Sequence, residues 1–393
     1  MNAPETPPRH VVVFGMLHAG LAFARSFGRA GIPVSGLSLH AHEFGLRSRF
    51  LRHRYAVTER EGPGRDTRVL DALRFLASES PGGRVVLFPE RDENVAFILD
   101  HWDEVRELAD FPLPQDPDAV LRLRRKERLA EEAARAGVPA PATVLADCAE
   151  TVAGAGLRPP FLVKPVEGQE FALHFGKKAA VAQTVDEACA VWRAARDAGF
   201  ETLVQELIPD SHERVFSLLA YIAQNGEPLA CVVGRKVRQG PLRFGTSAFF
   251  EVNYDRRVLE QGLRLLTSAA YRGIAHVEFA HDRRDDTFKL LEVNTRPPVW
   301  VGIAVTERFD IARLAYDDLT GNPPLACRLF RDELSWMYLA KDVWVSYQMA
   351  RRGELRLGEL ASHYLRRGKV HAVFAADDPL PALASLNYLR SRL

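Results

Sequence analysis

Cysteine is scarce in this chain. Four occur in 393 residues, at Cys148, Cys189, Cys231 and Cys327, and no two form a CxxC pair. Zinc and iron–sulfur sites draw on closely spaced thiols, so neither has any spacing to support it here. Each thiol reads as a single buried or incidental residue, which argues mildly for a reducing compartment. An excess of one charge is lacking as well: 52 Lys plus Arg stand against 51 Asp plus Glu, for a formal net charge of +1. No overall field therefore draws the chain to nucleic acid or to an anionic membrane, and any charge-dependent task must sit in a local site. No apolar run approaches the roughly 20 residues of a membrane-spanning helix. Residues 1–9 are Pro-rich and polar, without the basic and apolar regions of a signal peptide. The expected compartment is the cytoplasm, with no nucleic-acid or membrane partner. Lysine itself is rare, eight of the 52 basic residues, so each lysine in a motif is conspicuous. Internal repeats, low-complexity segments, a GxSxG motif and histidine pairs with metal spacing are all missing.

What is present is an ordinary globular balance, 47% hydrophobic and 26% charged. The length exceeds one simple core and implies two to four compact units. The apolar run 10–14 ends at Gly15, residues 21–30 read as a helix stopped by Gly31, and 32–39 resume a strand pattern. Strand, helix and strand at this spacing form a βαβ unit and imply a parallel sheet. The segment 84–88 supplies another strand, followed by the acidic loop Pro89-Glu90-Arg91-Asp92-Glu93 and a helix over 94–108. A dinucleotide site fails here: Gly15–Gly20 (GMLHAG) lacks the GxGxxG spacing, and the second strand ends in Leu39-His40 rather than an acidic residue. A tight turn packing helix on sheet is the better account.

Phe111-Pro112-Leu113-Pro114 marks a linker. Residues 116–136 then form a strongly charged helical segment closed by Gly137-Val138-Pro139-Ala140-Pro141. Strand patterns follow at 161–164 and 202–207, with a helix over 184–198 between them. The turn Asn225-Gly226 joins strands 216–222 and 229–233 as an antiparallel hairpin. A helix over 259–271 precedes strands 274–280 and 288–293, joined by the polar turn 282–287. The tail 336–390 reads as mostly helix, interrupted by Asp377-Asp378-Pro379-Leu380-Pro381.

The stretch 274–296 carries the chemistry. Glu278 lies near the end of one strand, and Glu292 and Asn294 lie on the next, where alternation puts them on one face. If the hairpin pairs them with Glu278, two carboxylates and an amide oxygen converge. Such hard oxygen ligands suit Mg²⁺, which is held by one or two carboxylates together with substrate phosphates. Arg296 follows on that face, where a guanidinium can hold a phosphate or a developing oxyanion. A solvated acidic strand face is the alternative for the two glutamates alone; Asn294 and Arg296 in the same register turn the balance.

The ordered landmarks of residues 10–320 resemble the ATP-grasp superfamily. Lys126, in the charged helix before GVPAP, is similar to the first nucleotide-binding lysine, and Lys164 in FLVKP to the second, on a strand beside the α- and β-phosphates. Gln205-Glu206-Leu207 in LVQELIP resembles the hinge whose backbone and Glu read the adenine amino group. Glu213 falls where a ribose-binding carboxylate is usual. Glu278, Glu292 and Asn294 match the metal-binding set and Arg296 the basic residue after it. A basic residue near 235–238 in the family often contacts the γ-phosphate; Lys236 is the choice and Arg235 the reserve. Each piece alone has a bland reading, Lys126 as one of several solvated helix charges and Glu213 as a surface loop residue. The ordered set ending in ExNxR is the specific signal.

The resemblance implies an α/β protein with the ATP-grasp fold: residues 1–115 as an N-terminal parallel-sheet domain, 116–205 as the small nucleotide lobe, 206–325 as the catalytic lobe and 326–393 as a helical extension. It implies ATP and Mg²⁺ and a carboxylate–amine ligase of the D-aspartate-ligase-like or short carbamoyl-phosphate-synthase-like branch. The substrate carboxylate would attack the γ-phosphorus, giving an acyl phosphate and ADP, and an amine would then attack the acyl carbon. Small-molecule carboxylate and amine are the expected partners, and a homodimer is compatible with the sequence. One departure stands out. The glycine- and serine-rich phosphate-covering loop common in the family is replaced by residues 166–171, with a single glycine and two acids; Gly176-Lys177-Lys178 is the other candidate for that contact. A kinase, a carboxylate–thiol ligase and an inactive nucleotide-binding module remain alternative readings.

Overall fold

A computed structural model of the chain describes residues 7–57, 62–146, 149–154, 156–166, 171, 174–176, 179–242, 245–322 and 326–390. Three sheets organise it. The first is wholly parallel and built from β1 (Val11–Phe14), β2 (Val34–Ser38), β3 (Arg54–Ala56), β4 (Val85–Pro89) and β5 (Ala109–Asp110), in the order β3-β2-β1-β4-β5. Every residue of β1, β2 and β4 is buried, which is why β1 and β4 read as continuous apolar runs rather than alternating ones. Helix α1 (His18–Arg29) follows β1 through a turn that only glycine fits. A Cβ at Gly15, where φ is +95°, would lie 2.7 Å from Asn94 Oδ1, and one at Gly20 would lie 2.0 Å from the Gly15 oxygen. The N–H groups of Leu17 and Ala19 donate to the Glu90 carboxylate at 2.6 and 2.8 Å. A protein side chain thus takes the helix end that a dinucleotide phosphate would need.

The expected helix over 94–108 is two, α3 (Asp92–Asp100) and α4 (Trp102–Leu108), broken at His101. The charged segment 116–136 likewise divides into α5 (Pro117–Arg124) and α6 (Lys126–Arg135), separated by Arg125 in an extended conformation.

The second sheet is antiparallel: β6 (Thr143–Ala146), β7 (Phe161–Pro165), β8 (Ala180–Ala182) and β9 (Thr202–Glu206), in the order β6-β9-β7-β8. Its own small core unites Ala146, Phe161, Val163, Trp192 and Val204.

The third sheet holds β10 (Val215–Ile222), β11 (Pro228–Gly240), β12 (Thr246–Val252), β13 (Gly273–Asp282) and β14 (Thr287–Asn294), and then β15 (Arg328–Phe330), β16 (Ser335–Met337) and β17 (Lys369–His371). The order is β14-β13-β10-β11-β12-β16-β17, with β15 beside β11. The tail, expected to be mostly helical, therefore also gives this sheet three strands. Each is three residues long, too short for alternation to register. On one face of the sheet Leu218, Val277 and Phe279 share a core with Leu123, Leu129 and Leu265; on the other, Leu219, Tyr221 and Val232 share one with Phe23 and Phe27 of α1. Helices α5 and α6, expected in the small lobe, thus pack on the third sheet. Among the described residues, no helix is long and apolar enough to cross a membrane.

Candidate functional site

Strands β13 and β14 pair so that Glu278 lies directly opposite Glu292 and His276 opposite Asn294. A bulge just past Glu278 keeps this end of the hairpin in register with the cavity while the outer end pairs differently. Glu278, Glu292, Asn294 and Arg296 line one cavity of about 450 Å³ together with Lys164, Gln205, Glu206, Leu207 and Lys236. The second sheet supplies one wall and the third sheet the other.

At the acidic end Lys236 Nζ lies 3.1 Å from Glu278 Oε1, and Asn294 Nδ2 donates to Glu292 Oε1 at 3.0 Å. Glu292 is open to the cavity yet walled by protein. That desolvation, and then the negative charge of Glu278, pushes its carboxyl above the usual range, against the hydrogen bond from Asn294. Two carboxylates facing each other with one lysine between them form a site short of positive charge, and its oxygens are of the type Mg²⁺ takes. Among the described residues no group of three or more His, Cys, Asp and Glu gathers as a metal cage. The set fits an ion that completes its shell from a phosphate-bearing ligand and not one held by protein alone. His276 sits beside the pair, its ring edge-on to Trp300 at 5.5 Å. Burial holds it neutral, with a pKa lowered to about 3, and Lys236 and Arg296 add to the effect against Glu292.

Arg296, just past the end of β14, reaches α3. Its Nη2 donates to Asp92 Oδ2 of α3 at 2.7 Å and to Asn294 Oδ1 at 3.3 Å. Burial opposes ionisation of Asp92, but Arg296, and then Arg124 and Arg91, outweigh it and hold the carboxyl below its ordinary range. Arg296 Nε and the Trp300 indole Nε1 are buried without a hydrogen-bond partner among the described residues. Two unsatisfied donors at the wall of one cavity are what an incoming oxygen would complete.

At the other end Lys164 Nζ donates to Gln205 Oε1 at 3.0 Å, and Gln205 Nε2 to Thr143 Oγ1 at 2.7 Å. The hinge differs from the expectation in detail. The Glu206 carboxylate accepts from the Arg158 backbone N–H at 2.8 Å and from Arg158 Nε at 3.1 Å. The Leu207 N–H is committed to the Pro160 carbonyl at 2.8 Å. The next residue, Ile208, has an N–H with no partner among the described residues and lines the same cavity, beside Leu162, Val215 and Leu291. An unpaired N–H flanked by apolar side chains suits the edge of a flat heteroaromatic ring.

Two expected residues lie outside the cavity. Glu213 ends a short 3-10 turn (Ser211–Glu213) with its side chain 63% exposed. Arg235 is turned to the opposite face of β11, where Nε contacts Glu251 Oε1 at 2.5 Å. Strand alternation separates it from Lys236. The side chain of Lys126, residues 167–170 of the loop after Lys164, and Lys177 and Lys178 lie outside the described residues. The sequence reading missed His276, Ile208, Trp300 and Asp92. Alternation two residues before Glu278 could have found His276. The acidic loop 89–93 is plain in the sequence, but nothing local links Asp92 to a residue 204 positions away.

No protein-family model matches the chain. A D-aspartate ligase of Enterococcus faecium is 24% identical over 200 residues, 48% of this chain and 48% of that ligase; the match thus spans about half the length of this curated relative. Among solved structures, N5-carboxyaminoimidazole synthetase from Staphylococcus aureus complexed with ADP superposes with a TM-score of 0.65 at 14% identity, covering 88% of this chain and 86% of that one. L-amino acid ligase from Bacillus licheniformis gives 0.57 at 14% identity, covering 80% and 75%. The ATP-grasp fold read from the ordered motifs is the fold of this chain.

Proposed function

We propose that this ATP-grasp protein is an Mg²⁺- and ATP-dependent ligase that activates a carboxylate as an acyl phosphate and joins it to an amine in the cytoplasm, releasing ADP and phosphate. The observation that carries the reading is the direct opposition of Glu278 and Glu292, with Asn294 beside them, in a cavity that also receives Lys164, Lys236 and Arg296. Binding of an amino acid as one substrate is supported by the likeness to a D-aspartate ligase and to an L-amino acid ligase.

In this reading Glu278, Glu292 and Asn294 hold Mg²⁺, which when bound neutralises charge on the phosphate oxygens. Lys164 and Lys236 approach the phosphates from opposite walls. Lys236 is the counter-charge of Glu278 and is placed to turn to a phosphate once the acids are otherwise neutralised. The Ile208 N–H and its apolar neighbours receive adenine. Arg296, oriented by Asp92, and the Trp300 N–H stabilise the oxyanion that forms when the amine attacks. Phosphoryl transfer asks little of the protein beyond such positioning and charge neutralisation.

The test is incubation with ATP, Mg²⁺ and an amino-acid panel plus hydroxylamine, following ADP, AMP and hydroxamate together. ADP and a hydroxamate are expected. AMP as the main product would overturn the acyl-phosphate chemistry, and a stable phosphorylated product formed without amine would assign a kinase.

A further inference from the structure

Of the twelve large hydrophobic side chains that are exposed among the described residues, nine lie between 339 and 386, so the tail differs from the rest of the surface. Seven of the nine lie on two helices, and both helices are inverted. Helix α11 (Leu339–Arg351), which follows α2 (Pro63–Ser78), α7 (Ala149–Gly154), α8 (Val185–Asp197), α9 (Arg256–Ser268) and α10 (Ile311–Leu319) in the chain, buries Asp342, Val345 and Ser346. It turns Leu339, Val343, Trp344 and Tyr347 outward. Beside Val345, its inner face is fixed by a polar anchor: Asp342 accepts from Arg238 Nε at 2.7 Å and from Tyr364 at 2.8 Å. The last helix (Leu380–Arg390) does the same, setting Ala382, Ala384 and Ser385 against the body and showing Leu380, Leu383 and Leu386 to solvent. Tyr338 meets the His18 ring at 4.6 Å, His18 meets Phe44 at 5.1 Å and Phe44 meets Tyr388 at 5.7 Å between centroids, which sets the end of the last helix near the start of α11. None of these side chains lines the candidate cavity.

We propose that this face is the two-fold interface of a homodimer, with α11 packing antiparallel against its own copy. Three observations favour a second copy of this chain. The seven outward side chains, each about half exposed, present on the order of 700 Å², close to the roughly 800 Å² per partner of a standard interface and above the few hundred Å² usual for the largest patch of a monomer. The α11 stripe runs at i, i+4 and i+8 through Leu339, Val343 and Tyr347, a straight ridge of the kind that meets another helix, and it carries Trp and Tyr, the side chains that most often anchor interfaces. It is also uncharged until Arg351, whose guanidinium lies 5.9 Å from the Tyr347 ring centroid. Antiparallel pairing about a two-fold axis keeps the two Arg351 side chains at opposite ends, so self-association meets no like-charge opposition.

The experiment is light scattering and sedimentation equilibrium on the full chain across the micromolar range, on wild type, on Val343→Glu/Tyr347→Glu and on Leu383→Gln, with circular dichroism to check folding. Wild type is expected at twice the 43.9 kDa of one chain. The double variant should weaken the dimer at least about 100-fold, tenfold or more for each anchor lost. Leu383→Gln, at a residue 63% exposed in the single chain and so free of folding cost, should weaken it less but measurably. A wild-type chain that stays at single-chain mass throughout that range overturns the proposal. So does a dimer indifferent to the folded variants, or a monomer that floats with phosphatidylglycerol vesicles and thereby assigns the face to a membrane.

Discussion

Replacing Glu292 by Gln removes one negative charge and almost no volume. The amide oxygen can still accept from Asn294 Nδ2, which donates to Glu292 Oε1 at 3.0 Å, and the backbone pairing with Glu278 is untouched. Two carboxylates directly opposite on antiparallel strands have Cβ atoms about 5 Å apart. Their repulsion is worth about 1 kcal/mol once the solvent in the cavity and the neighbouring Lys236 are allowed for. Losing it should leave the fold as stable as before or raise Tm by up to ~2 °C. Turnover should move the other way. A metal-held phosphate that loses one carboxylate ligand loses stabilisation comparable to deletion of an oxyanion donor, a fall on the order of 10²–10³-fold in kcat. ADP release with the amino-acid panel reads the second effect. Thermal unfolding with and without Mg²⁺ and ADP reads both and needs no knowledge of the substrates, since only the wild type should be stabilised by Mg²⁺ beyond ADP alone. Wild-type turnover in a folded Glu292→Gln protein would refute the metal assignment. A loss of turnover matched by an equal loss of stability would show Glu292 to be structural.

Lys164→Ala should weaken ATP far more than adenosine, by about tenfold or more in Kd from a lost charged phosphate contact; equal losses by calorimetry would make Lys164 a support of the fold. Asp92→Asn should lower kcat by about tenfold while leaving the Kd of ATP unchanged, because Asp92 touches Arg296 at 2.7 Å and lines no part of the cavity; recovery in Asp92→Glu and not in Asp92→Ala would separate orientation of Arg296 from domain packing. Burial, and then Glu43, raise the Glu90 carboxyl to about 7, above its unfolded value, against hydrogen bonds from Leu17, Gly20 and Ala19. Its contribution to stability is therefore full below the unfolded value near 4.5 and lost as pH rises toward 7, so the wild type should lose Tm relative to Glu90→Gln between pH 5 and pH 8. A pH-independent difference between the two would refute it.

The parts of the molecule legible in the sequence are those where burial is one-sided or complete. The runs at β1 and β4 read as strands because both faces are covered, and Glu278, Glu292 and Asn294 read as one face because a hairpin fixes the alternation. β11 runs to Gly240, well past the apolar 229–233, because Lys236 and Gln239 face the polar cavity and carry no hydrophobic signal. Placement across long separations was illegible for another reason. The Asp92–Arg296 pair and the Arg25–Asp378 pair at 2.9 Å join segments 204 and 353 positions apart, and no local pattern encodes which charges meet.

Helix α11 sets the limit most sharply. Its spacing of Leu339, Val343 and Tyr347 is the spacing of a core-facing stripe, yet it is Asp342, Val345 and Ser346 that pack inward. Periodicity reports that a helix has an apolar side; it does not report whether that side belongs to this chain's core or to another surface. The decision rests with Arg238, 2% exposed on its side chain and bound bidentately to Asp342. A buried guanidinium requires a carboxylate partner, and holding Asp342 there turns α11 about its axis and leaves its large apolar residues outside. If that is the cause of the inversion, the ion pair and the proposed dimer face are coupled. Arg238→Met with Asp342→Leu, an apolar pair of similar volume, should keep the fold while freeing α11 to rotate. The expected readout is a fall in dimer mass with Trp344 fluorescence shifted to the blue as the indole turns inward. A double variant that remains a dimer with unchanged Trp344 emission would show that the stripe faces outward for reasons other than this pair.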